Sequence, residues 1–103
     1  MNANVAKCLL VSKVLVADGM MSDEEKQFLG NMMTKLGLTA EEQRRVIDLE
    51  DWDAAEPIVQ GLSEDERRSI VELLVDAASA DGRLSVHEMA TVQRVSKALG
   101  LKA

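Results

Sequence analysis

Aromatic side chains are nearly missing from this chain, which has one Trp, one Phe and no Tyr among 103 residues. Sheets are covered by aromatic and β-branched residues, so this scarcity argues for helices around a core of Leu, Val, Met and Ala. Cysteine occurs once, as Cys8, which excludes an internal disulfide and fits a reducing compartment. Among apolar neighbours, Cys8 reads as a small buried hydrophobe and not as a reactive thiol. The only histidine is His87, and one imidazole without a nearby Cys or second His does not make a zinc site. Long apolar runs are missing as well. The run 5–17 contains Lys7, Ser12 and Lys13 and is too short to span a bilayer, so no direct membrane insertion is expected. The N-terminus has neither the basic start nor the cleavage site of a secretory signal, and the expected location is the cytoplasm.

Charge excludes another class. The formal net charge is −6, whereas a nucleic-acid partner requires a basic face that releases counterions; none is expected. The acids are unevenly spread. From Glu41 to Glu66 ten carboxylates stand against only Arg44 and Arg45, which leaves the rest of the chain slightly basic. This stretch reads either as a solvated helical face or as a docking patch for a basic protein partner. Trp52, in "LEDWDAAEP", belongs to it. Ringed by Glu50, Asp51 and Asp53, it is either a core residue or a binding anchor; in the second case Trp52, Glu50 and Asp53 form the partner-contacting set.

The residues of catalysis are also missing. Nucleophilic triads, glycine-rich phosphate loops and paired-cysteine motifs do not occur, and no base is placed to activate Ser12, Ser22 or Ser85. The chain is not expected to be an enzyme, and no catalytic residue is assigned.

What is present is a set of helix signals. Start and stop residues divide the chain into about six helices. The first runs over 5–17 and stops at Asp18-Gly19. Ser22 with Glu25 forms a capping box opening the second, which carries Phe28, Leu29, Met32, Met33 and Leu36 and ends at Gly37. Thr39 with Glu42 opens a third that extends through Leu49. Asp53 is expected to cap a short fourth helix with Pro57 in its first turn. Ser63 with Glu66 opens a fifth, from Glu64 to about Ala80. Ser85 with Glu88 opens the last, which ends at Gly100. The first and fifth are apolar over most of their circumference, so both are expected at the centre of the bundle. The methionines are expected mostly at core positions.

One pattern occurs twice. "ADGMMSDEE" and "ADGRLSVHE" each precede a helix that ends in Leu-Gly-Leu, and the copies overlay at an offset of 63 residues. The predicted architecture is an all-α bundle of two pseudo-symmetric helix–loop–helix repeats, at 5–38 and 68–101, bridged by 39–67. Each copy places an Asp near a helix C-terminus, where the helix dipole disfavours it by about 0.3–1 kcal/mol. Asp-Gly turn chemistry accounts for this on its own, since Asp folds onto a loop backbone. A bound cation is the alternative. The spacing matches the second half of an EF-hand loop, with Glu25 and Glu88 at the closing position, but the first half lacks carboxylates. The candidate metal ligands are Asp18, Glu25, Asp81 and Glu88, with calcium or magnesium as the ion. Arg83 beside Asp81 makes the first loop the better candidate. Capping explains the two glutamates equally well, and helix geometry does not choose between the readings.

Two copies of this motif, each opening a helix that closes in Leu-Gly-Leu, resemble the TerB-like family along nearly the whole chain. That family includes tellurite-resistance proteins and the N-terminal domain of a membrane co-chaperone. The resemblance implies an all-helical bundle with acidic residues gathered around its two Asp-Gly loops, here Asp18, Glu25, Asp81 and Glu88, and a suggested role for those residues in binding metal cations. It further implies an adaptor or stress-response component, possessing no catalysis and acting through a protein partner.

Overall fold

A computed structural model of the chain describes residues 1–17, 19–78 and 86–101, with Ala78 and His87 described in backbone only. Six helices follow in order: α1 (Ala3–Val16), α2 (Asp23–Lys35), α3 (Ala40–Ile47), α4 (Trp52–Gln60), α5 (Glu64–Ala78) and α6 (Val86–Ala98). No strand occurs among the described residues, and the helices form the expected all-α bundle, with a Cα radius of gyration of 12.4 Å.

Helix starts follow the capping signals closely. The Ser22 hydroxyl accepts the Glu25 N–H and the Glu25 carboxylate accepts the Ser22 N–H, both at 3.1 Å. Thr39 and Glu42 exchange the same pair of bonds at 3.2 and 2.9 Å, and Ser63 and Glu66 at 3.1 and 3.3 Å. The fourth box depends on Ser85, which lies outside the described residues. Helix α1 begins earlier than expected because the Asn2 side chain accepts the Val5 N–H at 2.9 Å.

The two Leu-Gly-Leu stops close alike. Gly37 and Gly100 both have φ +74°, and the following residue bonds back over the last turn: Leu38 N–H to the Met33 carbonyl at 3.1 Å, Leu101 N–H to that of Ser96 at 3.0 Å. This is the left-handed closure that glycine permits. Helix α3 ends the same way without glycine. Leu49 takes φ +54° while Glu50 N–H reaches the Arg45 carbonyl at 2.9 Å, and the Leu49 side chain packs against the core.

Three expectations are corrected. Asp53 does not cap α4: Asp51, at φ +65°, precedes the helix without a side-chain cap bond, and Asp53 lies inside the first turn. Pro57 therefore falls past that turn, where its ring removes the amide that would bond back to Asp53. The third concerns α5. Helix α1 is central, buried through Val5, Ala6, Cys8, Leu9, Leu10, Val11 and Leu15, with α2, α3, α4 and α6 packed on it. Among its described side chains, helix α5 buries only the stripe Ile70, Leu74 and Ala77, against α2 and α6. Its acids Glu64, Asp65, Glu66, Glu72 and Asp76 stay exposed, because charged residues interrupt its apolar surface far more often than Lys7 and Lys13 interrupt that of α1. Among the methionines, Met21, Met32 and Met33 are core residues, whereas Met1, Met20 and Met89 are exposed.

Candidate functional site

Helices α2 and α6 begin side by side. Glu25 from the first and Glu88 from the second, 63 residues apart, line one crevice together with Glu24, Phe28 and Thr91. So two of the four candidate ligands share a site, as a shared cation would require; Asp18 and Asp81 lie outside the described residues. The crevice itself does not suit an ion. It measures about 10 Å³, at the limit of what one water needs. The surface facing it is contributed by apolar atoms. Glu25 is buried and one of its oxygens is held by the Ser22 N–H. Among the described residues no group of three or more His, Cys, Asp or Glu is placed to hold a metal ion. The described side chains fit a divalent cation poorly, since calcium and magnesium require several converging oxygens.

Two arginines that the sequence did not single out hold helix ends. Arg94 of α6 donates to the Val14 carbonyl, near the end of α1, at 2.6 Å. Arg67 of α5 donates to the carbonyls of Gln60 and Leu99, at 2.9 and 3.3 Å, and so joins the ends of α4 and α6. Cations at helix C-termini offset the dipole there. The only sequence signal for either residue is an arginine at a half-buried position on an otherwise well-patterned helix.

The acidic stretch forms a second feature. Arg44 is committed to Asp48 and Glu50, at 3.3 and 3.2 Å, and Arg45 to Glu41 at 3.1 Å. At the amino end of α1, a cleft of about 210 Å³ brings together Glu42, Arg45, Glu50 and Asp51 above Val5 and Ala54. The Thr39 N–H holds the Glu42 carboxyl below the usual range, and the Thr39 hydroxyl, Asn2 and Arg45 act in the same direction. Glu50 and Asp53 are exposed. Trp52 is half-buried against the core, with Lys13 Nζ 4.5 Å above its ring and its indole nitrogen buried without a hydrogen-bond partner among the described residues. It is thus partly a structural residue.

A larger open groove, about 640 Å³, runs between α5 and α6 over Val71 and Leu101, edged by Glu64, Arg68 and Glu72. Cys8 is fully buried, and burial pushes its thiol up to about 12, with Lys7 opposing and Glu42 adding to the shift. As expected, it is no nucleophile. Among the described residues no helix is long and apolar enough to cross a membrane.

Capped helices packed around one central apolar helix, with glutamates from the starts of α2 and α6 lining one crevice, define a small all-helical bundle domain. A family model, Tellurite resistance protein TerB, matches residues 4–103. The chain belongs to this family, as its paired motif implied. Neither the curated proteins nor the solved structures gave a match.

Proposed function

We propose that this TerB-family chain is a small stress-response or protein-interaction domain linked to tellurite resistance, with no catalysis of its own, working in the cytoplasm. Its partner is a protein with a basic contact surface that docks on the acidic stretch around Glu50, Trp52 and Asp53. One observation supports this reading above others: Glu42, Glu50 and Asp51 converge on a single cleft, while the guanidinium groups of Arg44 and Arg45 are already bonded to acids of the same stretch. An incoming Lys or Arg meets an excess of carboxylate there.

Salt and charge reversal test it. Exposed charges are screened within about 10 Å at 0.1 M salt, so a complex recovered by pull-down should weaken steeply as salt rises. Glu50→Lys with Asp53→Lys should abolish it while leaving the circular dichroism spectrum unchanged. Trp52→Ala is less clean, because Trp52 also packs on the core. Binding indifferent to salt and to both reversals moves the interface elsewhere.

A second reading is a module binding calcium or magnesium through Asp18, Glu25, Asp81 and Glu88. It draws on the meeting of Glu25 and Glu88 at one crevice. Against it stand the apolar lining of that crevice and the capping bond of Glu25.

A further inference from the structure

The cleft at the amino end of α1 has a floor and a rim of different character. Val5, buried in α1, and Ala54, on the open side of α4, contribute the floor of its space of about 210 Å³. The rim carries Glu42 from α3, with Glu50 and Asp51 from the turn between α3 and α4. Arg45 is the one cationic side chain along it and is bonded to Glu41, so three carboxylates face one positive charge. The three differ in the bonding capacity they have left. Glu42 is engaged at both oxygens, by the Thr39 N–H at 2.9 Å and the Asn2 amide at 3.2 Å, and supplies mainly charge. Glu50 gives Oε2 to Arg44 at 3.2 Å, while its Oε1 takes no bond among the described residues. Asp51 stands before α4 without a cap bond, and its carboxylate has no hydrogen bond or ion pair among the described residues.

An occupant of this cleft must lay an apolar stem on the floor and bring a cation that reaches two carboxylates. Lys and Arg both have such stems. The Lys ammonium is a compact, strongly hydrated point charge. The guanidinium is planar, more weakly hydrated, and meets carboxylates with a fork of donors. One guanidinium of the same stretch already spans two acids, since Arg44 reaches both Asp48 and Glu50.

We propose that the cleft between α1, α3 and α4 is a socket for one arginine side chain of the protein partner, its stem on Val5 and Ala54 and its guanidinium between Glu50 and Asp51. This rests on the docking reading and narrows it, from a basic surface to an inserted arginine.

The test titrates fluorescently labelled hexaarginine and hexalysine with the full chain at low salt and reads anisotropy. Two variants separate a socket from surface charge. Ala54→Leu fills the floor and alters no charge; Ala54 is exposed on α4 and Leu is a good helix former, so the fold is kept, as melting by circular dichroism checks. Asp51→Asn removes a rim charge; Asn suits the left-handed backbone at φ +65°, and no cap bond is lost. Wild type should bind hexaarginine about tenfold more tightly than hexalysine. Ala54→Leu should bring the two peptides level. Asp51→Asn should weaken hexaarginine more than Asp53→Asn does, because Asp53 is exposed in the same stretch but does not line the cleft. Equal binding of the two peptides by wild type, or a preference for arginine that survives Ala54→Leu, overturns the socket, while salt-sensitive binding would still support docking. If neither peptide binds, the docking reading falls and the socket with it.

Discussion

Laid over one another at the 63-residue offset, α1 and α5 hold the same slot in the sequence repeat and very different places in the fold. Helix α1 is buried over most of its circumference, with Lys13 on its exposed side, whereas α5 buries one stripe and leaves Val75 37% exposed. The difference comes from the chain between them. Both short bridging helices, α3 and α4, pack on α1, so the first copy is covered by elements that the second copy does not receive. The repeated Leu-Gly-Leu stop closes two helices alike. What covers a helix depends on where the rest of the chain goes.

The comparison is broken most readily in the core. Leu9→Ala, on the fully buried face of α1, should cost about 3–5 kcal/mol in urea unfolding, since the enclosed site cannot collapse around the lost side chain. A cost near 1 kcal/mol would mean that α1 is not the central helix. Next come the two stops, where the copies do agree. Gly37→Ala and Gly100→Ala should each cost about 1–2 kcal/mol. Neither new methyl group meets a close neighbour, as nothing lies within 4 Å at Gly37 and only Arg67 at 4.0 Å at Gly100, so backbone conformation sets the cost. Unequal losses would separate the two ends that now look equivalent.

Much of the fold was legible in the sequence because capping is local. Ser22 with Glu25, Thr39 with Glu42 and Ser63 with Glu66 each settle a helix start within four residues, and the glycine stops settle two ends. The misread junction, between Leu49 and Trp52, has no such marker. Leu49 and Asp51 adopt left-handed conformations that glycine would have announced, and tertiary packing of Leu49 holds the turn instead. The candidate site was legible only in part. Helical spacing turned Glu25 and Glu88 inward, but that they meet at one crevice depends on how α1 and α5, which both contact α2 and α6, hold those two helices. The arginines that hold helix ends act across long sequence separations, Arg94 over 80 residues, and no local pattern marks such a contact.

Smaller effects sharpen the picture of α1. The Ser12 hydroxyl is buried and without a hydrogen-bond partner among the described residues. Ser12→Ala should therefore raise stability, by about 1 kcal/mol, where a polar group in good order would lose it. Cys8 gives a pH signature. Its thiol ordinarily ionises near 9.0 and in the fold at about 12. The unfolded chain thus loses the proton first, and the stabilisation from the neutral buried thiol, complete below pH 9.0, is lost as pH rises toward 12. The urea midpoint should fall across that window in wild type and fall less in Cys8→Ala. On α5, Val75→Ala should change stability by no more than about 0.5 kcal/mol. A larger loss would show that face to be covered.

The central claim is that Glu25 acts as a helix cap and not as a metal ligand. Thermal melting of wild type, Glu25→Gln and Ser22→Ala, with and without millimolar calcium or magnesium, tests it most directly. Gln still reaches back to the Ser22 N–H, so Glu25→Gln should melt close to wild type, while Ser22→Ala loses about 1 kcal/mol. None of the three should respond to the ion. The contradicting result is a wild-type gain of about 2.7 kcal/mol at a hundredfold excess over the dissociation constant, a rise of roughly 10–20 °C. In that result the gain would vanish in Glu25→Gln and persist in Ser22→Ala.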